Sequence, residues 1–463
     1  MLVSNSVFKN RRQHLMQSVG EGLILLPGNE EAPMNYTDNV YPFRQDSNFL
    51  YYAGIRLPHL ALLLDVDAGS AVLFGDELTI DHIVWMGAQP SLHELADAAG
   101  IAEVRAFDAL AGVLQQAQKT GRPIHYAPPY RGEQHIQLSQ WLGCHLEQVV
   151  PNSSTRLIQA IVAQRAIKEA VEVADIERAL ETTGKMHRAV MQAARAGITE
   201  SVLVGLAQQV AVADGGGPAY GAILTINGHV LHNHAYHHTL REGQLVLGDF
   251  GAETRFGYAG DITRTFPVSP TFSNQQREIY ELVLATEMAA IDAIQPGRTY
   301  REIHLQAARQ ITVGLQALGL MKGDADEAVA AGAHALFFPH GLGHMLGLDV
   351  HDMEGLGENW VGYRPGMERS TQFGLRSLRL ARELEPGFVL TVEPGIYFIP
   401  QLIDIWQAEG KCREFICFDK LHAYRDFTGV RIEDNVLVTA TGHRVLGNPI
   451  PKTIEAVESL RLG

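Results

Sequence analysis

In the stretch GDFGAETRFGYAGDITRTFP (residues 248–267), two strand-like runs each carry one aspartate. Both runs are apolar or β-prone and a short turn-prone segment joins them, so we expect an antiparallel hairpin. Asp249 and Asp261 would then lie close together on facing strands. Two carboxylates at that distance cannot both ionise cheaply, and a cation between them removes the conflict. The alternative is a pair of exposed aspartates on a solvated strand edge.

Two further acids stand in similar surroundings. The run LTVEPGIYF puts Glu393 in a strand that stops at Pro394, and GVRIEDNVLV puts Glu433 in another strand. Acidic residues are depleted in strands, where Val or Thr is expected. Each acid alone could face water, but four such residues in one domain predict a shared site.

A histidine ligand is available in FFPHGLGHMLGLDVHD, which contains His340, His344 and His351. His340 and His344 have the i, i+4 spacing of a zincin helix, but no glutamate follows the first histidine. Gly341 and Gly343 would also weaken a helix there. A glycine-rich segment that delivers one imidazole to a metal fits better. The histidine cluster HVLHNHAYHH (229–238) is either a second candidate for metal binding or a polar loop.

The charges of this set favour two metal ions. Four carboxylates and one imidazole carry a charge of −4, which two divalent cations would balance. Oxygen-rich ligands favour Mn²⁺ or a similar hard ion over a thiolate zinc site, and Cys144, Cys412 and Cys417 lack zinc-ligand spacing. Two metals about 3.5–4 Å apart can hold a bridging hydroxide. This predicts a hydrolase whose nucleophile is water, and the chain has no GxSxG, P-loop or GxGxxG motif.

The chain reads as two domains. Residues 1–160 alternate short apolar strands with helices, which indicates an α/β domain. Residues 153–195 read as a long helical segment, and from 221 onward strands come in blocks with two helices between them, which indicates an α+β domain. We therefore predict domains at 1–160 and 161–463. We interpret the polar stretch 353–385 as a functional loop insertion, with a disordered segment as the alternative.

The net charge and the cysteine content limit the classes of binding partner and the compartment that we expect. The net charge of −15 argues against nucleic acid and anionic membranes as partners. No run of about 18 apolar residues and no signal-peptide core is present. Three sparse cysteines fit reduced thiols. We expect a cytoplasmic protein that binds neither nucleic acid nor membrane.

In their order along the chain, these motifs resemble those of the pita-bread metallopeptidases: Xaa-Pro dipeptidase (prolidase), aminopeptidase P and methionine aminopeptidase. The run YPFRQDSNFLYYAG (41–54) resembles the N-terminal domain of the aminopeptidase P type. The resemblance implies an α/β N-terminal domain followed by an α+β pita-bread domain that hydrolyses Xaa-Pro bonds in short proline-containing peptides. It also implies two divalent ions per subunit, Mn²⁺ first with Co²⁺ or Zn²⁺ as alternatives, and a homodimer with a tetramer as the alternative.

The same resemblance implies the metal ligands. Asp249 would bind one metal, and Asp261 and Glu433 would bridge both. His344 and Glu393 would hold the other metal.

Further roles follow from the matched motifs. Glu393 would also carry a proton to the leaving nitrogen. His351 would hydrogen-bond the substrate or the tetrahedral intermediate, and His232 would line the substrate pocket. Arg431 would support the site from outside the ligand set, and His340 would have a supporting role in substrate binding.

One departure from the family pattern concerns the hairpin turn. The segment ETRFGYAG between Asp249 and Asp261 is one residue longer than the family's usual turn. We expect a bulge or a looser turn that keeps both aspartates inward. A change of parity would instead turn one ligand away.

The substrate length depends on a second arginine. A dipeptidase must recognise the free carboxylate of proline, and the run GLRSLRLARELEPGFVLTVEPG (374–395) resembles the prolidase run that does so, with Arg379 as the clamp. The alternative is a solvated helix face formed by Arg376, Arg379 and Arg382. We favour the dipeptidase, with aminopeptidase P as the alternative. A non-catalytic peptide-binding module is a more remote alternative, and hydrolysis of organophosphorus esters would be a side activity.

Overall fold

The computed structural model describes residues 4–462. The chain forms two compact units. The first runs to Arg165 and includes Met353–Trp360, and the second comprises Ala166–Asp352 and the chain from Val361.

The first unit is built on a five-stranded mixed sheet in the order β4-β3-β2-β1-β5. Strands β1 to β3 pair antiparallel, whereas β5 lies parallel to β1 and β4 parallel to β3. The central strands are almost fully buried, which explains their continuous apolar runs. The strands are β1 (Leu23–Pro27), β2 (Ala61–Asp65), β3 (Ser70–Phe74), β4 (Glu103–Arg105) and β5 (Ile124–His125).

Helices pack around this sheet, so the predicted α/β character of the N-terminal part is confirmed. Leu110, Leu114, Leu138 and Trp141 join sheet residues in one buried core. Helix α3 differs from the others because none of its residues is buried. The helices are α1 (Asn5–Val19), α2 (Ser47–Ala53), α3 (Ile80–Met86), α4 (Leu92–Ala98), α5 (Ala109–Lys119), α6 (Gly132–Leu142), α7 (Leu146–Val149) and α8 (Thr155–Ala166).

The second unit combines small antiparallel sheets with two packed helix pairs, α9 with α10 and α11 with α12, as its predicted α+β character requires. From Ala170 onward the helices are α9 (Ala170–Ala193), α10 (Glu200–Ala213), α11 (Asn274–Asp292), α12 (Tyr300–Ala317), α13 (Ala325–Ala330), α14 (Glu358–Val361), α15 (Pro400–Glu409), α16 (Phe418–Leu421) and α17 (Ile454–Leu462). Short 3₁₀ turns lie at Ala333–Leu336, Leu375–Ser377 and His422–Tyr424. A further turn, Glu354–Leu356, and most of α14 lie in the range Met353–Trp360, which belongs to the first unit.

Two three-stranded sheets, β10-β8-β7 and β11-β14-β15, carry most of the strands of this unit, and β12-β13 and β6-β9 form two-stranded pairs. The strands are β6 (Gly217–Pro218), β7 (Ile223–Thr225), β8 (Leu245–Asp249), β9 (Ala252–Glu253), β10 (Thr263–Pro267), β11 (Val389–Val392), β12 (Gly395–Tyr397), β13 (Gly429–Arg431), β14 (Asp434–Val438) and β15 (His443–Val445).

Strands β8 and β10 form the predicted antiparallel hairpin. Asp249 lies opposite Thr263, and the same register continues to the bridge between Glu253 and Ala259. The chain reverses in a turn in which the Gly257 N–H bonds the Thr254 carbonyl and Gly257 has φ 89. The longer connection is therefore taken up in the turn and no bulge shifts the register. Asp261 stays two residues from Thr263, so it shares a face with Asp249.

Across residues 4–462, no helix is both long enough and apolar enough to span a bilayer.

Candidate active site

A cavity of about 660 Å³ in the second unit brings the predicted site residues together. Its wall is lined by β-strand ends, the glycine-rich histidine segment and the loop before β11. All ten predicted site residues lie on this wall: His232, Asp249, Asp261, His340, His344, His351, Arg379, Glu393, Arg431 and Glu433.

The acids occupy strand ends more than strand interiors, which corrects the sequence-based expectation. Asp249 is the last residue of β8, but Glu393 follows the end of β11 and Glu433 lies between β13 and β14. The strand-to-strand hydrogen bonds stop at Glu393 and Glu433 because the backbone N–H groups of these residues bond to carbonyls outside the strand pair. The Glu393 N–H donates to the Leu342 carbonyl at 2.9 Å, and the Glu433 N–H donates to the Thr263 carbonyl at 3.1 Å.

The glycine-rich segment lies against β11 as an extended chain, not as a zincin-like helix. The Thr391 N–H donates to the His344 carbonyl at 2.9 Å, and the His344 N–H donates to the Thr391 hydroxyl at 3.1 Å. A Cβ at Gly343 would lie 2.1 Å from the Thr391 carbonyl oxygen. Glycine at 343 is therefore required for the close approach that carries His344 to the acids.

The tautomer of His344 leaves one ring nitrogen available to the carboxylates. Its Nδ1–H donates to the Met345 carbonyl at 3.0 Å, so Nε2 carries the lone pair in the neutral ring. Nε2 lies 3.3 Å from Asp261 Oδ2 and 3.7 Å from Glu393 Oε1. Burial alone would lower the pKa of His344, but the hydrogen bond to Asp261 and the nearby carboxylates raise it to about 9, so Nε2 holds a proton where a metal ion would bind in its place. A backbone-anchored second nitrogen is usual for a metal-binding histidine.

Asp249, Asp261 and Glu433 are buried and Glu393 is half-buried, so their negative charges are costly without a counter-charge. Ligand atoms of Asp261, His344 and Glu433 all lie within 4.8 Å of one another. Burial and neighbouring carboxylates raise the pKa of Glu433 well above its usual value, and burial raises the pKa of Glu393 to about 7. For Asp261, burial opposes ionisation, but the His344 contact outweighs it and lowers the pKa. The cluster therefore requires positive charge.

Neutral donors do not satisfy these carboxylates. The Tyr220 hydroxyl oxygen lies 2.7 Å from Asp249 Oδ1 and also within hydrogen-bonding distance of Asp261 Oδ1. A phenol carries one hydrogen, so it can serve only one of the two at a time. The Thr263 hydroxyl donates to Glu433 Oε2 at 2.7 Å. A site rich in carboxylate oxygen, with one imidazole and few donors, fits hard divalent cations.

Arg431 supplies a charge-assisted hydrogen bond to the acids. Its Nη2–H donates to Asp249 Oδ2 at 2.6 Å, its Nη1–H to the Tyr397 hydroxyl at 2.8 Å and its Nε–H to the Thr263 hydroxyl at 3.1 Å. Tyr397 in turn lies 2.8 Å from His340 Nε2, while His340 Nδ1–H donates to Gly341. Burial lowers the pKa of His340 to about 3, so this chain of hydrogen bonds contains a neutral imidazole.

His351 and His232 approach the cluster differently. The ring of His351 stacks on that of His344, with centroids 3.8 Å apart and planes at 21°. His232 is an exposed wall residue, and partial removal of its ring from water, together with the positive charge of Arg431, lowers its pKa. Among the described residues, the three-ligand cluster of metal-binding type is the one around Asp261, so the HVLHNHAYHH tract contributes wall residues and no such ligand group.

The three arginines of the 374–382 segment do not form a helix face. The only helical turn there is the 3₁₀ turn Leu375–Ser377. Arg376 lies over the Phe373 ring, Arg382 pairs with Glu385, and Arg379 lines the cavity. The stretch 353–385 also contributes a buried cluster of its own, formed by Tyr363, Leu375, Leu378 and Ala381.

Sequence reasoning missed Tyr220, Thr263 and Tyr397. Tyr220 follows a glycine-rich turn, GGGPAYGAI, where no periodic pattern distinguishes it from an ordinary buried tyrosine. Thr263 and Tyr397 stand in strands where such residues are common. A signal was available only for Thr263, because its position in the DITRTF run opposite Asp249 follows from the hairpin register.

The Tyr220→Phe variant is expected to weaken metal binding by about 10- to 100-fold, the usual cost of losing a partner of a ligating carboxylate. The hydroxyl restrains Asp249 and Asp261, and phenylalanine keeps the ring. Metal affinity measured by competition with a chelator provides the test. Tyr236→Phe, which removes a hydroxyl bonded to the Ala222 carbonyl, is the matched control. Unchanged affinity in Tyr220→Phe would contradict this role.

Comparison with known proteins identifies the family. Residues 174–440 match the sequence profile described as metallopeptidase family M24, and residues 8–125 match that of the aminopeptidase P N-terminal domain. The Xaa-Pro dipeptidase of Homo sapiens is 34% identical over 449 residues, which cover 95% of this chain and 89% of the relative. The Xaa-Pro aminopeptidase of Escherichia coli (strain K12) is 32% identical over 469 residues, which cover 99% of this chain and 98% of the relative.

Solved structures agree with these sequence matches. Zinc-substituted aminopeptidase P of E. coli in complex with product has a TM-score of 0.82 at 30% identity, over 100% of this chain and 99% of that chain. The aminopeptidase of Pseudomonas aeruginosa has a TM-score of 0.82 at 31% identity, with the same coverage. The predicted combination of an α/β N-terminal domain with a pita-bread domain is thereby confirmed, as is the prediction of a metal-dependent hydrolase. The chain belongs to metallopeptidase family M24 and carries an aminopeptidase P-type domain in front of its catalytic domain.

Proposed function

We propose that this protein hydrolyses the bond that precedes proline, with Xaa-Pro dipeptides as its main substrates. The observation that carries the proposal is that Arg379 lines the same cavity as the carboxylate cluster. Its guanidinium can bind a carboxylate through two parallel hydrogen bonds. Arg379 is our candidate for the proline carboxylate of a dipeptide, because it brings a guanidinium to the wall of the cavity that holds the carboxylate cluster.

The proposed cofactor is a pair of divalent cations, Mn²⁺ first with Co²⁺ or Zn²⁺ as alternatives. Asp249 would hold one ion, His344 and Glu393 the other, and Asp261 and Glu433 would lie between them. This assignment is supported by the buried carboxylates, the anchored imidazole and the shortage of donors. Divalent cations bound there would lower the pKa of water and supply hydroxide at neutral pH.

The protein's own groups would orient the substrate and move the proton. Hydrolysis adds water across the C–N bond, and the departing proline nitrogen must gain a proton because it leaves as a secondary amine. Glu393, half-buried on the cavity wall beside His344, is the group we assign to that transfer. His351 would hydrogen-bond the carbonyl oxygen under attack, with His340 and His232 lining the pocket around the substrate. Burial raises the pKa of Asp249, and Arg431 would oppose that rise and hold the carboxylate in place.

Aminopeptidase P activity on longer peptides is the alternative. It is favoured by the likeness to aminopeptidase P structures over 99% of their length. An enzyme of that kind must leave the far side of proline open to more residues, so Arg379 would then be a wall residue without a carboxylate to bind.

A paired assay separates these functions. Mn²⁺-loaded protein is offered Ala-Pro and Ala-Pro-Ala, with a chelated sample as the control. Cleavage of the dipeptide alone is expected. Cleavage of the tripeptide at an equal or higher rate would establish aminopeptidase P activity instead. Failure to cut either peptide with metal bound would overturn the proposed function and favour a peptide-binding module.

We also propose that the protein is a cytoplasmic homodimer, with a tetramer as the alternative assembly. Helix α3 presents a contiguous apolar surface formed by Ile80, Ile83, Val84, Trp85 and Met86, and Trp85 is 84% exposed. Surfaces of this kind commonly mark protein–protein contacts. The three free cysteines fit a reducing compartment. Sedimentation equilibrium of the protein and of Val84→Glu tests the assembly, and an unchanged mass in the variant would contradict a contact through α3.

A further inference from the structure

A fully buried ion pair lies outside the set of residues described so far. Lys168, in the connection between α8 and α9, donates from Nζ to Asp352 Oδ2 at 2.8 Å. Each side chain is only 1% exposed. Lysine and aspartate are almost never buried to this degree unless they are paired, and a buried pair does not in general stabilise a fold more than apolar residues would. The pair therefore calls for a functional reason.

Asp352 closes the loop that runs between the two stacked histidines. The Asp352 N–H donates to the carbonyl of Met345, the residue after His344, at 2.9 Å. The Asp349 N–H donates to Asp352 Oδ1 at 3.3 Å. Because His351 directly precedes Asp352, these contacts define where the His351 backbone lies.

Lys168 gives this loop an external anchor. Its backbone N–H donates to the Gly387 carbonyl at 2.8 Å, and the Gly387 N–H donates to Val438 in β14 at 2.9 Å. The pair also packs directly against the loop, since a Cβ at Gly347 would lie 2.5 Å from Asp352 Oδ2 and 2.9 Å from Lys168 Cε. The position of the carboxylate is thus determined by the sheet through the lysine.

We propose that Lys168 is a positioning residue that acts through Asp352 to orient the His351 imidazole in the cavity. The stacking of His351 on His344 at 3.8 Å leaves the ring little lateral freedom on that side, and the ion pair restrains the backbone that carries it. The inference rests on the proposed function, because it requires His351 to act on the substrate.

A double-mutant cycle tests this inference. Lys168→Met is measured alone and in a His351→Ala background, with Ala-Pro and Ala-Pro-Ala as substrates. We expect Lys168→Met alone to lower kcat by about 10- to 100-fold, the range seen when a supporting partner is lost, with little change in KM or in metal content. In the His351→Ala background the same change should cost less than about threefold, because the group it positions is absent. Equal losses in both backgrounds would overturn the proposal.

Two further variants keep the test decisive. If Lys168→Met does not fold because it leaves a buried charge unpaired, the double variant Lys168→Met/Asp352→Asn removes both charges and keeps the acceptor for Asp349. It should recover the melting temperature but not kcat, whereas recovery of kcat would show a purely structural pair. Lys185→Met, which breaks the exposed pair with Asp214, is the matched control and should leave kcat unchanged. A parent enzyme that cleaves neither peptide would instead refute the proposed function.

Discussion

Asp261→Asn is expected to lower metal-dependent cleavage of Ala-Pro by more than about 100-fold while the protein stays folded. Loss of a group that merely supports a ligand typically costs 10- to 100-fold in metal affinity or activity, and Asp261 lies at the centre of the cluster, within 4.8 Å of ligand atoms of His344 and Glu433. Asparagine keeps the size of the side chain and removes the charge that a divalent cation needs.

The measurement pairs activity with metal-dependent stability. A ligand that binds only the folded state raises the melting temperature, so Mn²⁺ should stabilise the parent protein and have little effect on Asp261→Asn. Asp404→Asn, which changes an exposed aspartate paired with Arg425, is the control for the substitution itself. Near-parental activity or an undiminished metal-dependent shift in Asp261→Asn would refute the assignment of Asp261 as a ligand.

Arg379→Met should raise KM for Ala-Pro by about 10- to 100-fold with a smaller effect on kcat. Hydrogen bonds to charged groups contribute about 1.5–3 kcal/mol, and about 1.4 kcal/mol corresponds to a factor of ten. The contact with the proline carboxylate lies away from the bond that breaks, so it should affect ground state and transition state alike.

A substrate without the carboxylate completes this experiment. The parent protein should discriminate against Ala-Pro-amide, and Arg379→Met should treat the two substrates almost equally. Arg376→Met, which changes an exposed arginine three residues away, is the control. If Arg379→Met leaves KM for Ala-Pro unchanged, the arginine is a wall residue and the aminopeptidase P alternative gains support.

Most secondary structure could be predicted because it depends on local pattern. The apolar runs that become β1, β2 and β3, and the amphipathic segments that become α5 and α9, follow the periodicity of strands and helices. The glycines and prolines that end helices and strands also lie where these elements end in the structure. The fold class followed from the order of these elements, with strands and helices alternating in the first unit and grouped in the second.

The candidate ligands were also visible, for a different reason. Acids inside apolar runs, such as Asp249 and Asp261, are costly unless something pays for their burial, so their presence alone indicated a common counter-charge. The pairing of the two hairpin strands could be predicted, but the conformation of the turn between them could not. The positions of Glu393 and Glu433 relative to the strand ends could not be predicted, because a strand ends where its last N–H group bonds to a partner outside the sheet.

Local pattern was enough to predict which residue types meet at the site: four carboxylates, one imidazole, and the strands and glycines that carry them. Which other groups contact these residues depends on tertiary packing. Arg431 reaches Asp249 across 182 positions of the chain and Lys168 reaches Asp352 across 184. Tyr220 joins two aspartates from a turn without periodic pattern. Such contacts arise from how separate sheets and loops pack, and periodicity carries no information about side chains that meet at that distance along the chain.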